Sequence, residues 1–225
     1  MKLSVALPSP IHEEAVKHLL RRDGQEDLCF ALWYPSTGAS RETALIQGLI
    51  LPLEGDRLVH GNASFLPQYF ERVLGIARKE EAGIAFLHSH PSPGWQGMST
   101  DDIAAEMGHA AAALASTELP LVGLTIGTDG AWSARFWVRA GQKKYRRNWC
   151  ESVRVVGESL RVTFNDSLLP RLTIGEELDR TVSAWGETAQ ANLSRLKIGV
   201  IGAGSVGSIV AENTGSHGSC PYSYL

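Results

Sequence analysis

The stretch FLHSHPSPGWQGMSTDDIAAE, residues 86–106, decides how the rest of the chain is read. The apolar run Ile84 to Leu87 reads as a short buried strand that leads straight into two histidines one residue apart. Alternate side chains of a strand share a face, so His88 and His90 aim at one point while Ser89 faces away. Pro91 and the Pro93-Gly94 pair then force the chain out of the strand and into a loop. Ser99 opens a helix as its N-cap, with Asp101 and Asp102 in the first turn and Ile103, Met107 and an alanine-rich run behind them.

Strand and helix together therefore offer two imidazoles and an acid to one place. Zinc accepts such a set in tetrahedral geometry, at about 2.0 to 2.2 Å per ligand, with the fourth position left for water. A metal held this way lowers the pKa of its water to about 7 and polarises a carbonyl, so hydrolysis needs no serine or cysteine nucleophile. It does need a base, which must be a carboxylate within hydrogen-bond reach. Glu26, just before the strand that starts at Leu28, is the best placed, with Asp27 and Glu42 as the other candidates.

These residues resemble the motif of the JAMM (MPN-type, JAB-domain) metalloproteases: an upstream glutamate, then H-x-H-P, then S-x-x-D. His88-Ser89-His90-Pro91 and Ser99-Thr100-Asp101-Asp102 carry the match. The resemblance implies zinc ligated by His88, His90 and Asp102, Glu26 as general acid/base, and Ser99 as a stabiliser of the oxyanion. The interval from His90 to the acid is one residue longer than the family usually shows. Asp101 thus sits at the usual distance from His90, and Asp102 at the usual offset from Ser99. Helix geometry after a cap holds its offset more tightly than a loop with Gly94 and Gly97 holds its length, which favours Asp102. A purely structural role, Asp102 completing a capping interaction with Ser99, is the competing reading.

Working outward, the spacing of Ile11, Ala15, Val16, Leu19 and Leu20 predicts a helix over Ile11 to Arg22, stopped by Asp23-Gly24. Leu28 to Tyr34 and Ala44 to Leu53 read as antiparallel strands joined through a turn at Pro35-Ser-Thr-Gly. Pro67 to Lys79 is helical in spacing. Leu121 to Ile126 and Ala131 to Val138 flank an Asp129-Gly130 turn. The fold class expected is α/β, an MPN (JAB)-like mixed sheet flanked by helices, with an incomplete Rossmann βα start at the C-terminal end. Three parts are expected: a metalloprotease-like domain over 1–165, a connector over 166–195 that is helical from Ile174 to Leu196, and a nucleotide-binding start over 196–225.

That last part rests on Lys197 to Gly202 (KIGVIG) followed by Gly202-Ala-Gly204-Ser-Val-Gly207, a G-x-G-x-x-G between a strand and a helix. Gly202, Gly204 and Gly207 are the candidate phosphate-binding residues. With the Leu196-Lys197 lead-in, the segment resembles the opening of ThiF/MoeB-type adenylyltransferases. The chain reaches Leu225 before the acidic residue expected about 20 positions after the glycines, so a vestigial, truncated site is the expectation.

Composition bounds the alternatives. With 225 residues, 44% hydrophobic and 20% charged, the chain can bury one generous domain and a further fragment. A net charge of -3 leaves no basic surplus for binding along a nucleic acid. No apolar run approaches the roughly 20 residues of a membrane span, and a soluble cytoplasmic protein is expected. Cys29, Cys150 and Cys220 form no C-x-x-C pair and read as buried or incidental thiols. His12, His18, His60, His109 and His217 read as surface or core residues.

The expected function is a zinc-dependent isopeptidase or peptidase acting at the C-terminus of a ubiquitin-like or sulfur-carrier protein, since ThiF-type enzymes activate such C-termini. Its rivals are a zinc hydrolase of small peptide or amino-acid adducts, and a non-catalytic MPN-type binding module.

Overall fold

Every residue of the segment Gly83–Ser89 is buried, as a strand covered on both faces requires. This computed structural model describes residues 1–60, 62–171 and 179–197, together with positions 202, 204, 208 and 209. In chain order the first elements are β1 (Lys2–Pro8), α1 (Ser9–Leu19), β2 (Leu28–Thr37), β3 (Arg41–Ile50), β4 (Arg57–His60), β5 (Asn62–Phe65), α2 (Pro67–Lys79) and β6 (Gly83–Ser89). There follow α3 (Thr100–Thr117), β7 (Leu121–Ile126), β8 (Trp132–Gly141), β9 (Lys144–Trp149), β10 (Ser152–Val156), β11 (Leu160–Phe164), α4 (Asp179–Trp185) and α5 (Glu187–Ser194).

The architecture is mixed α/β, a large curled mixed sheet flanked by helices. Nine strands form the sheet in the order β11-β10-β1-β3-β2-β6-β7-β8-β9. The pairs β1–β10, β1–β3 and β6–β7 are parallel and the rest antiparallel. Chain connectivity makes the sheet curl. β9 closes one end of the strand order, yet only Cys150 and Glu151 separate it from β10, the second strand at the other end. A hydrogen bond crosses the closing gap: Trp132 N–H of β8 donates to Thr163 Oγ1 of β11 at 3.4 Å.

Two cores follow from strand alternation. Along β2, Cys29, Ala31 and Trp33 face the core shared with Ala15 and Leu19 of α1, while Leu28 and Phe30 face the core beneath α2 and α3. α2 presents Tyr69, Phe70, Val73 and Ala77 to that second core at helical spacing.

Several expectations need correction. α1 ends at Leu19, because Leu20 already leaves the helical region (φ -89°, ψ 85°), and does not run to Arg22. β2 passes through Pro35 to Thr37, and the turn falls at Gly38, whose N–H donates to the Arg41 carbonyl at 2.8 Å. Proline is tolerated there because β6 pairs with β2 only as far as Trp33, leaving no neighbour on that side to lose a hydrogen bond. β1, hidden in a proline-flanked N-terminus, is an interior strand paired with β10 and β3, which its proline permits by falling at the last position, Pro8. The short hairpin β4–β5 is a second sheet that carried no sequence signal strong enough to read.

The chain divides into compact units, Met1–Asn165 and a second beginning at Asp166. In the second unit the single helical connector is two short helices, broken at Gly186, whose φ of 88° and ψ of 154° belong to a region that essentially only glycine adopts. Residues 172–178, most of the KIGVIG segment and Gly207 lie outside the described residues; Gly202 is described and has a φ of 85°. Among the described residues no helix is long and apolar enough to cross a membrane.

Candidate metal centre

β6 ends against two neighbours. Leu28 pairs with His88 across β2, and continuing that antiparallel register by two residues sets Glu26 opposite His90. On the other side His88 pairs with Thr125 of β7, and the His90 N–H donates to the Ile126 carbonyl at 2.9 Å. Ser89, facing away, uses both its groups on Asp27. Its N–H donates to the Asp27 carbonyl at 3.0 Å, and its Oγ accepts the Asp27 N–H at 3.0 Å. This pins the residue beside Glu26 while the two imidazoles turn the other way.

α3 supplies the acid. Ser99 is its N-cap: Oγ accepts the Asp102 N–H at 3.1 Å, and Asp102 Oδ2 accepts the Ser99 N–H at 2.7 Å, a reciprocal capping box. The same carboxylate faces the imidazoles, with Oδ1 at 3.5 Å from His88 Nε2 and Oδ2 at 3.2 Å from His90 Nε2. Capping and ligation are thus compatible uses of one side chain. The two Nε2 atoms lie 3.2 Å apart.

These separations test whether a metal fits. Ligand atoms about 2.0 to 2.1 Å from a tetrahedral ion stand about 3.4 Å from each other, and the observed spacings of 3.2 to 3.5 Å bracket that value. His88, His90 and Asp102 therefore form a group that could hold a metal ion. Asp101 lines the same cavity but is not part of that group.

The electrostatics favour ligation. Burial, reinforced by the Arg135 guanidinium, lowers the His88 pKa to about 3, so its imidazole stays neutral with a lone pair to give. Burial works to raise Asp102, but His90, His88 and the Ser99 N–H outweigh it and hold the carboxyl well below the usual range. Glu26, half-buried on the same cavity, is pushed up by burial and by the Asp102 charge, against the opposing pull of His90. A carboxylate raised in this way is a better base.

Of the other carboxylates, Asp27 is buried and committed. It takes a bidentate pair from Arg57 of β4 at 2.6 and 2.9 Å and an N–H from Leu28 at 2.8 Å. Glu42 pairs with Thr37, nine residues along β2 from Leu28, so it lies about 30 Å from the site. Cys29 and Cys150 are buried and burial pushes both thiols up; Cys220 lies outside the described residues.

Several supporting residues were not legible beforehand. The loop after His90 is held by Gln96, whose amide donates to the carbonyls of Ser92, Pro93 and Gly94 at 2.8 to 2.9 Å, and by Asp129, which accepts the Gly94 N–H at 3.0 Å. Asp129 was visible only as a turn residue. Behind the site, Glu106 and Arg135 form a fully buried ion pair. Arg135 Nη1 also reaches Thr125 Oγ1 at 2.5 Å, which in turn lies 3.3 Å from His88 Nε2.

A cavity of about 640 Å³ opens on the group, lined by Glu26, His88, His90, Ser99 and Asp102 and by a largely apolar wall. His109, expected to be an ordinary surface or core residue, belongs to that wall, with ring centroids 4.9 Å from Phe65 and 4.6 Å from Phe70.

No protein-family model matches the chain, and no curated protein matches it. One solved structure with some likeness is the solution structure of protein DSY2949 from Desulfitobacterium hafniense. It is 16% identical, with 68% of this chain and 95% of that chain covered and a TM-score of 0.40. At that score the likeness carries no argument about fold or function.

Proposed function

We propose that this chain is a zinc-dependent metallopeptidase or isopeptidase of the JAMM/MPN type. On this reading it is a soluble, cytoplasmic enzyme that cleaves an amide at the C-terminus of a ubiquitin-like or sulfur-carrier protein. The observation that carries the reading is the convergence of two imidazole nitrogens and a carboxylate at 3.2 to 3.5 Å spacing, on a cavity that Glu26 and Ser99 also line. The carrier-protein substrate rests on the G-x-G-x-x-G segment from Gly202, whose ThiF-like surroundings suit an enzyme handling the same C-termini.

His88, His90 and Asp102 would hold the ion, which supplies Lewis acidity and a more acidic water when bound. Glu26 acts as the base. It takes the proton from the attacking water and returns it to the departing amine. The Ser99 hydroxyl uses its oxygen to accept the Asp102 N–H, so its own hydrogen is free to be donated to the carbonyl oxygen as negative charge develops there. Asp102 keeps its charge throughout, since its pKa is held low.

The test separates ligand from cap. Asp102→Asn keeps a capping acceptor, so stability should change by less than the roughly 1 kcal/mol that loss of a cap costs. Zinc uptake by dialysis and elemental analysis should nevertheless collapse. Cleavage of ubiquitin-like conjugates should disappear in this variant, in His88→Ala and with a chelator. Cleavage that survives all three ends the proposal.

A further inference from the structure

Behind the metal group a continuous line of hydrogen bonds ends on a ligand nitrogen. Glu106 of α3 accepts Arg135 Nε at 3.0 Å, holds Nη2 in the buried ion pair, and takes Trp137 Nε1 on the same carboxylate. So held, the guanidinium extends Nη1 to Thr125 Oγ1 at 2.5 Å. Thr125 of β7 pairs with His88 of β6, and its Oγ1 lies 3.3 Å from His88 Nε2. Glu106, Arg135, Thr125 and His88 are all buried, so water cannot stand in for a missing partner.

The charged member of this line fixes its direction. A guanidinium keeps its protons and has no acceptor, so Arg135 donates and Thr125 Oγ1 accepts. The threonine hydrogen is then left for the nitrogen in front of it. A neutral imidazole that accepts at Nε2 carries its own hydrogen on Nδ1. Two other groups face Nε2. His90 Nε2, at 3.2 Å, donates or accepts, whereas the Asp102 carboxylate, with Oδ1 at 3.5 Å, only accepts and so draws the hydrogen onto Nε2. A hydrogen there would cover the lone pair that ligation needs. The count of buried polar groups opposes it. His88 Nδ1 has no partner among the described residues, so one orphan is present in either form. A hydrogen on Nε2 adds the Thr125 O–H as a second.

We propose that Thr125, aimed by Arg135, is a positioning residue for His88: it sets the imidazole in the Nδ1–H form, so that the Nε2 lone pair faces the metal position before an ion arrives. Binding then has no proton to move off Nε2, because the threonine hydrogen turns aside by rotation about one bond. The line also gives the buried pair of Glu106 and Arg135 a task beyond packing, since their contact is what points Nη1 at Thr125. The part played in metal binding rests on the hydrolase reading, whereas the choice of tautomer rests on the hydrogen bonds alone.

The experiment uses the full chain, stripped of metal and labelled with 15N-histidine, at mildly alkaline pH. Long-range 1H–15N spectra distinguish a protonated ring nitrogen from a bare one, and His88→Gln identifies the signals of residue 88. Two other rings calibrate the spectrum. His12 Nδ1 accepts from Trp132 Nε1 at 3.0 Å, which leaves its hydrogen on Nε2, and His109 Nδ1 donates to the Ala105 carbonyl at 2.6 Å. His88 should carry its hydrogen on Nδ1. Thr125→Val should lower the ratio of the Nδ1–H to the Nε2–H form by about fivefold or more, and Thr125→Ser, which keeps the hydroxyl, should restore it. The paired variant Arg135→Met with Glu106→Leu, in which the hydroxyl stays but loses its donor, should lower the ratio as well. His12 and His109 should keep their forms throughout, which a general loosening of the fold would not allow. A hydrogen on Nε2 in the unaltered chain, or a ratio that Thr125→Val leaves unchanged, overturns the assignment. Zinc uptake is measured in parallel by dialysis and elemental analysis. A chain that shows the expected forms and takes up no zinc supports the role of Thr125 and overturns the hydrolase reading instead.

Discussion

Glu26 and Asp27 are adjacent carboxylates with opposite fates, and the difference comes from what each one meets. Burial works to raise Asp27, but the Arg57 pair and the Leu28 N–H overcome it and lower its pKa, so it is a fixed anion. Glu26 meets burial and the Asp102 charge, and its pKa rises above the ordinary 4.5. The sign of the consequence is definite. A base works deprotonated, so kcat/KM should climb with pH along an acid limb lying above the ordinary glutamate value. Glu26→Gln should remove that limb and lower kcat by about 10²- to 10⁴-fold while leaving zinc uptake intact. A limb that persists in Glu26→Gln would assign it to another group. From the sequence, Glu26 was the best placed of three candidates, with Asp27 and Glu42 left open, since a one-dimensional string ranks carboxylates by neither distance nor partner. The register of β2 against β6 and β3 separates them.

At the scale of elements, α3 is tied down by one face. Asp102 lies at its mouth, and Glu106, one turn further on, shares that face and grips Arg135 of β8. Trp137 Nε1 adds a bond to the same carboxylate at 2.5 Å. Gly123 of β7 makes room, because a Cβ there would run into both the Glu106 carboxylate and the Arg135 guanidinium. The helix that presents the acid is thereby locked to the strand beside β7. Removing one partner leaves a buried charge alone, so Arg135→Met should cost about 3 to 5 kcal/mol in urea unfolding. Adding Glu106→Leu to it should recover most of that loss, because apolar replacement of a whole buried pair is often neutral. Simple addition of two separate losses in the double variant would show that the two residues do not act as a pair. The helix itself was legible from Ser99, its acids and the alanine run; the pair behind it was not, since Glu106 and Arg135 are 29 residues apart.

For the molecule as a whole, every residue of the candidate centre lies in the unit Met1–Asn165, and Asn165 is stitched to it by its N–H to the Glu151 carbonyl at 2.9 Å. Residues 1–165 expressed alone should unfold cooperatively and bind zinc with an affinity within about twofold of the full chain's. An insoluble or metal-blind fragment would show that residues after 165 are needed for the centre. The curl of the sheet explains how so few residues, Cys150 and Glu151, carry the chain from one end of the strand order to the other.

Taken alone, the amino-acid sequence determined what local rules decide. The strand that turns His88 and His90 to one side, the loop that prolines enforce after it and the cap at Ser99 all depend on residues a few positions apart. So did the spacing that set Asp102 against Asp101. Tertiary structure decided everything that depends on distant segments meeting. It placed β1 inside the sheet, set Glu26 across from His90, walled the cavity with Phe65, Phe70, Phe86 and His109, and buried Glu106 against Arg135. The physical reason is that side-chain period and capping are properties of a chain's immediate neighbours, whereas pairing register, burial and charge environment exist only once the sheet has closed.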